Sequence, residues 1–255
     1  VRRNFLIKVL IIGGNRFFGR DLAHRLVKAG DQVTILNRGN FDDGLAYSVE
    51  RLIADRTDEN ALQTVIGDRR FDCVIDQVCY SASEAKLATQ VFNERTGLYV
   101  FTSTVSVYDD KPGPSRKESD FDPHRHSFDS LADPKTNFSE AKRQAETIFA
   151  RSMKGRFIAA RLPIVCGPND YTDRLSFHIQ HVKKSRPMYF PTLTAKMSYI
   201  YEEEAAKQLE FLIRNPRASG PVNLSSANAA SMRTLLDWLE AACRKKAILA
   251  ESETQ

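Results

Sequence analysis

The chain has 255 residues, 42% hydrophobic and 27% charged. This is enough apolar mass for one large α/β domain, or such a domain with a small second lobe, and it excludes a disordered or fibrous chain. The net charge of +5 is scattered except at Lys183-Lys184 and Arg244-Lys245-Lys246, a pattern that suits small anionic ligands and argues against nucleic acid as a partner.

Leu6 to Ile12 is a short run rich in β-branched residues and predicts a buried first strand. Lys8 interrupts it and no cleavage site follows, which argues against a signal peptide. Gly13-Gly14 turns the chain into a helix carrying Leu22, Leu26, Val27 and Ala29, ended by Gly30. Strands are predicted over 33–36, 49–54, 71–78 and 98–103. Between them lie a helix capped by Asp58 and carrying Ala61, Leu62, Val65 and Ile66, and another over 83–94. The span 109–136 holds Pro112, Pro114, Pro123 and Pro134 and no sustained period, so it reads as a long polar loop of the kind that carries function. A helix over 138–153 and a strand over 157–162 follow.

Beyond Gly167-Pro168 the rhythm weakens, with helices over 175–184, 203–214 and 232–246 around strand candidates at 198–201 and 222–224. The pattern predicts an α/β fold, a doubly wound parallel Rossmann sheet over 1–166. Residues 167–255 are expected to be mostly a small substrate lobe, with one or two elements returning to the sheet. No apolar run reaches the roughly eighteen residues of a membrane helix. Cys73, Cys79, Cys166 and Cys243 form no Cys-x-x-Cys pair and read as buried free thiols. The expectation is a cytoplasmic protein with no membrane partner.

The stretch KVLIIGGNRFFGRDLAHRL, residues 8–26, joins a strand, a glycine turn and a helix N-terminus. Backbone N–H groups and the helix dipole there suit a pyrophosphate, and glycine lets the backbone approach it. Gly13, Asn15, Arg16, Phe17, Phe18 and Gly19 are the candidate cofactor residues of this turn. With Arg16 where glycine is usual, the pattern GGxRFxG resembles the atypical members of the extended short-chain dehydrogenase/reductases, the NAD-dependent epimerase/dehydratase family. That subgroup includes bacterial proteins labelled epimerase/dehydratase or reductase and the chloroplast stem-loop RNA-binding proteins. The resemblance covers nearly the whole chain and is sharpest in the first 170 residues.

The second strand ends in Asn37-Arg38, with no carboxylate to bind a ribose 2′-hydroxyl. Arg38 and Arg16 offer guanidinium forks to a 2′-phosphate, which favours NADP over NAD; alternatively Arg38 lies along the adenine face with either cofactor. Asp55 matches the family aspartate that faces the adenine amino group. Cys79 and Thr102 complete the expected cofactor set, with Pro163, Ile164 and Val165 of the segment FIAARLPIVCGP near the nicotinamide carboxamide. Arg174, at the start of the substrate lobe, is a candidate for an anionic substrate, with a plain surface arginine as the alternative.

The segment YVFTSTVSVYDD resembles the family stretch in which a serine or threonine precedes a Val-Tyr pair. Aligned on Val107-Tyr108, the catalytic hydroxyl falls on Thr104, with Ser103 as the alternative register; both are candidate substrate contacts. The resemblance next implies Tyr-x-x-x-Lys at a helix start, the tyrosine moving the substrate proton and the lysine binding the ribose and lowering the tyrosine pKa. Here the stretch is Phe138-Ser-Glu-Ala-Lys142. Phenylalanine has no proton to exchange. Either another group substitutes (Tyr108, Tyr171, Glu140 or a water held by Thr104), or the protein binds cofactor without turnover as a sensor, scaffold or RNA-associated factor, or the change is simply inactivating. His124, His126, His178 and His181 lack matching ligands, so no metal is expected. A nucleophile elbow Gly-x-Ser-x-Gly is absent, which excludes that hydrolase class. The expected function is NAD(P)-dependent epimerase/dehydratase-like oxidoreductase chemistry on a hydroxylated small molecule, with a nucleotide sugar as the candidate, in a homodimer paired through two helices.

Overall fold

Strand β1 (Lys8–Ile12) is the first apolar run, and all of it after Lys8 is buried. In this computed structural model the described residues are 6–41, 44–45, 48–108 and 115–251. The opening of the long polar loop, 109–114, therefore lies outside them. Helix α1 (Phe17–Lys28) follows, then β2 (Gln32–Asn37), β3 (Glu50–Ile53), α2 (Glu59–Ile66), β4 (Phe71–Asp76), α3 (Ala82–Phe92) and β5 (Thr96–Thr104). Asp58 caps α2 and Ser81 caps α3, each accepting a backbone N–H with its side chain. Short 3-10 turns occupy Val105–Val107 and Glu118–Asp120. Then come α4 (Phe138–Ser152), β6 (Arg156–Leu162), β7 (Ile164–Cys166), α5 (Arg174–Lys183), β8 (Pro187–Met188), β9 (Lys196–Met197) and β10 (Tyr199–Tyr201). The chain continues through α6 (Glu202–Arg214), β11 (Gly220–Asn223), β12 (Ala230–Ser231), α7 (Met232–Cys243) and β13 (Ile248–Leu249).

Seven strands form one sheet in the order β11-β6-β5-β4-β1-β2-β3, and every neighbouring pair is parallel. The order reverses between β1 and β4, which opens a crevice at their carboxyl ends. Successive residues of β1 serve opposite faces, as strand geometry requires. Val9 and Ile11 pack with Leu22 and Leu26 of α1 and Leu209 and Leu212 of α6. Leu10 and Ile12 pack with Leu62, Phe92 and Phe149 from the helices of the other side. The sheet is thus covered on both faces, the architecture its βα rhythm predicts.

β4 ends at Asp76, two residues earlier than the sequence suggests. The Asp76 carboxylate turns the chain there by accepting the Val78 N–H, while Gln77 N donates to the Ile12 carbonyl. β11 lies beside β6 at the sheet edge, and α6 packs over α1. A separate small core joins α5, α7 and β8 through Val182, Met188, Leu236 and Leu239.

The described part of the polar loop has little regular structure and is held from beneath. Fully buried Arg161 pairs with Glu146 at 2.5 Å and donates to the Tyr108 hydroxyl and to the carbonyls of Glu118 and Phe121. Gln144 bonds the backbone at Ser130 and Ala132.

Phe149 is fully buried, with Tyr99 and Phe101 ring centroids 4.8 and 5.0 Å away. Phe149→Ala should lower the unfolding free energy by about 3–5 kcal/mol, as truncation of a packed aromatic does. Urea denaturation checks this, and a loss below about 1 kcal/mol would show that the site collapses around the gap.

Candidate active site

The crevice is a cleft of about 460 Å³ at the carboxyl ends of β1, β4, β5 and β6. Its floor on the β1 side is the glycine turn. Gly13 and Gly14 have φ of 93° and 72°, a region open to glycine and strained for other residues. A Cβ on Gly19 would overlap the Gln77 side-chain oxygen and lie 2.9 Å from the Gly14 Cα, so the helix can approach the turn only without one. Phe17, the first residue of α1, also holds a positive φ of 51°, a strained conformation of the kind found at functional turns. No side chain caps α1, and its first turn holds no carboxylate. Its leading N–H groups and dipole are left for an anion.

Gln77 Nε2 and Thr102 Oγ1 are buried polar atoms without partners among the described residues, and both residues line the cleft. A buried donor or acceptor left unpaired costs about 1–3 kcal/mol. Two of them in a cleft that also holds an uncapped helix end fit a polar ligand such as a dinucleotide. Arg16 projects at the mouth, its guanidinium carbon 4.2 Å from the Phe41 ring centroid and 5.2 Å from that of Tyr171.

Lys142 rises from α4 into the cleft floor and is 3% exposed. Its Nζ donates to the carbonyls of Cys79 at 2.9 Å and Thr102 at 2.7 Å. An ammonium has three hydrogens, so one remains. Burial pushes the lysine pKa down to about 8, against the pull of Cys79, Asp76 and Glu146. Phe138 lies one turn before it on α4, lines the same cleft and is 40% exposed.

The two strand-end hydroxyls separate. Ser103 is buried and donates to Glu146 at 2.6 Å, so its proton is committed to the network under the loop. Thr104 lines the cleft and caps the following 3-10 turn by accepting the Ser106 N–H at 3.1 Å. Its own hydrogen points to Ser106 Oγ at 3.2 Å, a bond that a substrate oxygen can replace.

Of the residues singled out from the sequence, Gly13, Asn15, Arg16, Phe17, Phe18, Gly19, Thr102, Ser103, Thr104, Phe138, Lys142, Pro163, Ile164, Val165 and Arg174 line this cleft. Asn37, Arg38, Asp55 and Cys79 do not line it. Asn37 accepts the Gly39 N–H and shapes the turn after β2. Arg38 and Asp55 are exposed beyond the β2 and β3 ends. Hydrogen bonds from the Thr57 N–H and hydroxyl hold the Asp55 carboxyl below its usual range, with smaller help from Arg38 and Arg56. The Cys79 thiol is buried, its pKa pushed by burial to about 12, and it reaches the cleft only through its carbonyl on Lys142.

Among the proposed substitutes for the missing tyrosine, Tyr108 is tied to Arg161 and to Asn223 at 2.6 Å, and Glu140 to His126, Gln144 and Arg143. Neither lines the cleft; Tyr171 does. Gln77, Tyr80, Ser106 and Thr172 also line it and were not picked out by sequence. For Gln77 and Tyr80 the available signal was their place just past the switch-point strand. Among the described residues no group of three or more His, Cys, Asp or Glu is placed to hold a metal ion. No helix of the described residues is long and apolar enough to cross a membrane.

A doubly wound sheet with an uncapped glycine turn at its switch point defines a dinucleotide-binding type of protein. A model of the NAD dependent epimerase/dehydratase family matches residues 9–225, and the chain belongs to that family. It is 26% identical to the chloroplast stem-loop binding protein of 41 kDa b of Arabidopsis thaliana. That match covers 96% of this chain and spans 65% of the relative's length. The fold is similar to that of Thermus thermophilus UDP-glucose 4-epimerase, solved with NAD (TM-score 0.72, 17% identity, 95% of this chain and 85% of that one). It is also similar to Thermotoga maritima UDP-glucose 4-epimerase, solved with UDP-glucose (TM-score 0.75, 15% identity, 96% and 86%), and to the Bordetella bronchiseptica enzyme WbmG, solved with NAD and UDP (TM-score 0.75, 12% identity, 100% and 84%).

Proposed function

We propose that the cleft binds a nicotinamide dinucleotide and carries out epimerase/dehydratase-like oxidoreductase chemistry on a hydroxylated small molecule, with a nucleotide-linked sugar as the favoured class. The observation that carries this reading is the uncapped α1 N-terminus over Gly13 and Gly14, facing the same cleft as Lys142 and Thr104. The bound cofactor supplies the hydride acceptor or donor. Asn15, Arg16, Phe17 and Phe18 border the diphosphate position, and Lys142 uses its remaining hydrogen on a ribose hydroxyl. Thr104 positions the substrate oxygen, and Arg174, exposed at the start of α5, meets an anionic substrate group. Arg38, with Arg16, favours NADP at the adenosine end, and Asp55 faces the adenine. Pairing through α3 and α4, which lie side by side, makes the homodimer.

Calorimetric titration with NAD, NADP and UDP-glucose tests this. The parent should bind a dinucleotide, and NADP more tightly than NAD. Gly13→Val should lose that binding at least tenfold, with circular dichroism confirming the fold, because its side chain would stand 3.0 Å from Val78 at a φ of 93° that side chains rarely adopt, and so would shift the turn. Undiminished binding by the variant would refute the role of the turn, and equal affinities would refute the NADP preference.

Phe138, together with the likeness to a stem-loop binding protein, supports a second reading: a cofactor-binding protein without turnover. It predicts dinucleotide binding with no hydride transfer on any substrate.

A further inference from the structure

The loop after β4 presents Tyr80 to the cleft that Phe138 also lines. Its setting is built from buried charge. Asp76 is fully buried, bonds Arg56 at 2.7 Å and accepts the Tyr99 hydroxyl at 2.8 Å. Arg56 also bonds Glu84 at 2.9 Å and reaches the Val78 carbonyl. Glu84 in turn accepts the Tyr80 N–H at 2.5 Å, and the intervening Cys79 carbonyl accepts Lys142. The backbone from Asp76 to Tyr80 is therefore fixed by an ion cluster, which sets where the Tyr80 side chain leaves the chain. The Lys142 Nζ lies 5.5 Å from the Tyr80 ring centroid.

We propose that Tyr80 is the proton donor of this site, taking over the step that a tyrosine at position 138 would perform. The inference rests on the dinucleotide reading above. When a ketone is reduced, its carbon would receive a hydride supplied by the bound nicotinamide, and the electrons of the C=O π bond would move to oxygen. That oxygen takes the Tyr80 proton, leaving alcohol, oxidised cofactor and a Tyr80 phenolate. Tyr80 then recovers a proton from solvent. Oxidation of the alcohol runs the same transfers backwards. Unlike the hydroxyl of Tyr108, that of Tyr80 makes no hydrogen bond among the described residues.

The groups that act on the phenol agree with a donor. Although 40% of the residue stays exposed, partial burial pushes its pKa up to about 12, and Tyr171, Asp76 and Glu84 raise it further against the pull of Arg56. Tyr80 thus holds its proton at neutral pH until a charge arrives. The cationic ring of an oxidised nicotinamide is such a charge, and its binding should ease phenol ionisation.

The test uses the full chain and Tyr80→Phe, which keeps the ring and the backbone bond to Glu84. Calorimetry with NAD and NADP establishes binding first. Ultraviolet titration of phenolate absorbance, with and without the bound oxidised dinucleotide, then reads the phenol directly. The parent should show one phenol whose ionisation moves to lower pH on binding, and Tyr80→Phe should bind the dinucleotide equally and lack that shift. With UDP-glucose and UDP-galactose, nicotinamide absorbance should show hydride transfer falling by about a hundredfold or more in Tyr80→Phe, the scale of lost acid–base catalysis. Where neither sugar is turned over, the phenol shift decides. A shift that survives in Tyr80→Phe, or unchanged hydride transfer, overturns the proposal while leaving the dinucleotide reading intact. Failure of the parent to bind either dinucleotide overturns both.

Discussion

Phe138→Tyr should raise hydride transfer about tenfold in the parent and a hundredfold or more in a Tyr80→Phe background. Position 138 and Lys142 share one face of α4, being four residues apart. Phe138 already lines the cleft and is 40% exposed, so a hydroxyl at the ring tip adds no buried unpaired group. The new phenol would enter the cleft with Thr104 and the one uncommitted hydrogen of Lys142. A well-placed general acid contributes roughly 10²–10⁴ in rate. In the parent, Tyr80 already serves the oxygen and the added donor brings only part of that range. In the double variant the new phenol replaces the lost donor, so the gain approaches the full value. Nicotinamide absorbance against UDP-glucose, UDP-galactose and simple alcohols measures both. A gain of the same size in the two backgrounds would show that Tyr80 and residue 138 do not act on the same proton.

The parts of this site that are local in sequence were the legible ones. A strand, two glycines and a helix start within 8–26 carry their meaning in adjacent residues, because the φ values and the uncapped helix end are set by that segment alone. The Phe138–Lys142 pair is likewise one helical turn. Ser103 and Thr104 could not be told apart from sequence. What separates them is Glu146, which accepts the Ser103 hydroxyl hydrogen bond from 43 residues away and is itself held by Arg161. Tyr80 was missed for the same reason. Its placement follows from where β4 stops, and β4 stops where Asp76 meets Arg56 across 20 residues of sequence. The span Gly220–Asn223 contains Pro221 and is only half-buried, so it carries a weak strand signal. It pairs at the edge beside β6, where a proline is tolerated.

Lys142→Met should make the protein more stable at pH 7 and poorer at binding dinucleotide. The lysine is almost fully buried, and burial drives its pKa from 10.5 down to about 8. A lysine whose pKa falls on folding opposes the folded state wherever the unfolded chain carries the proton. The penalty is full below pH 8. Between about 8 and 10.5 the unfolded state binds more protons than the native one, so unfolding free energy rises with pH; above 10.5 the penalty is gone. At about 1.4 kcal/mol per pKa unit, the charge costs on the order of 3 kcal/mol at neutral pH. Methionine fills a similar space without charge, though it forfeits the bonds to the Cys79 and Thr102 carbonyls. The net gain should therefore be about 1–2 kcal/mol. Urea denaturation from pH 7 to 10 checks this: the parent curve should climb, and the Lys142→Met curve should start higher and lack that climb. Parallel curves would mean that another group supplies the pH dependence. A less stable variant at pH 7 would mean that the two carbonyl bonds outweigh the cost of the charge. Dinucleotide affinity in the same variant should fall by about tenfold, the worth of one charge-assisted hydrogen bond to a ribose hydroxyl. A stability gain together with that loss would mark Lys142 as a charge kept in the core for the ligand it holds.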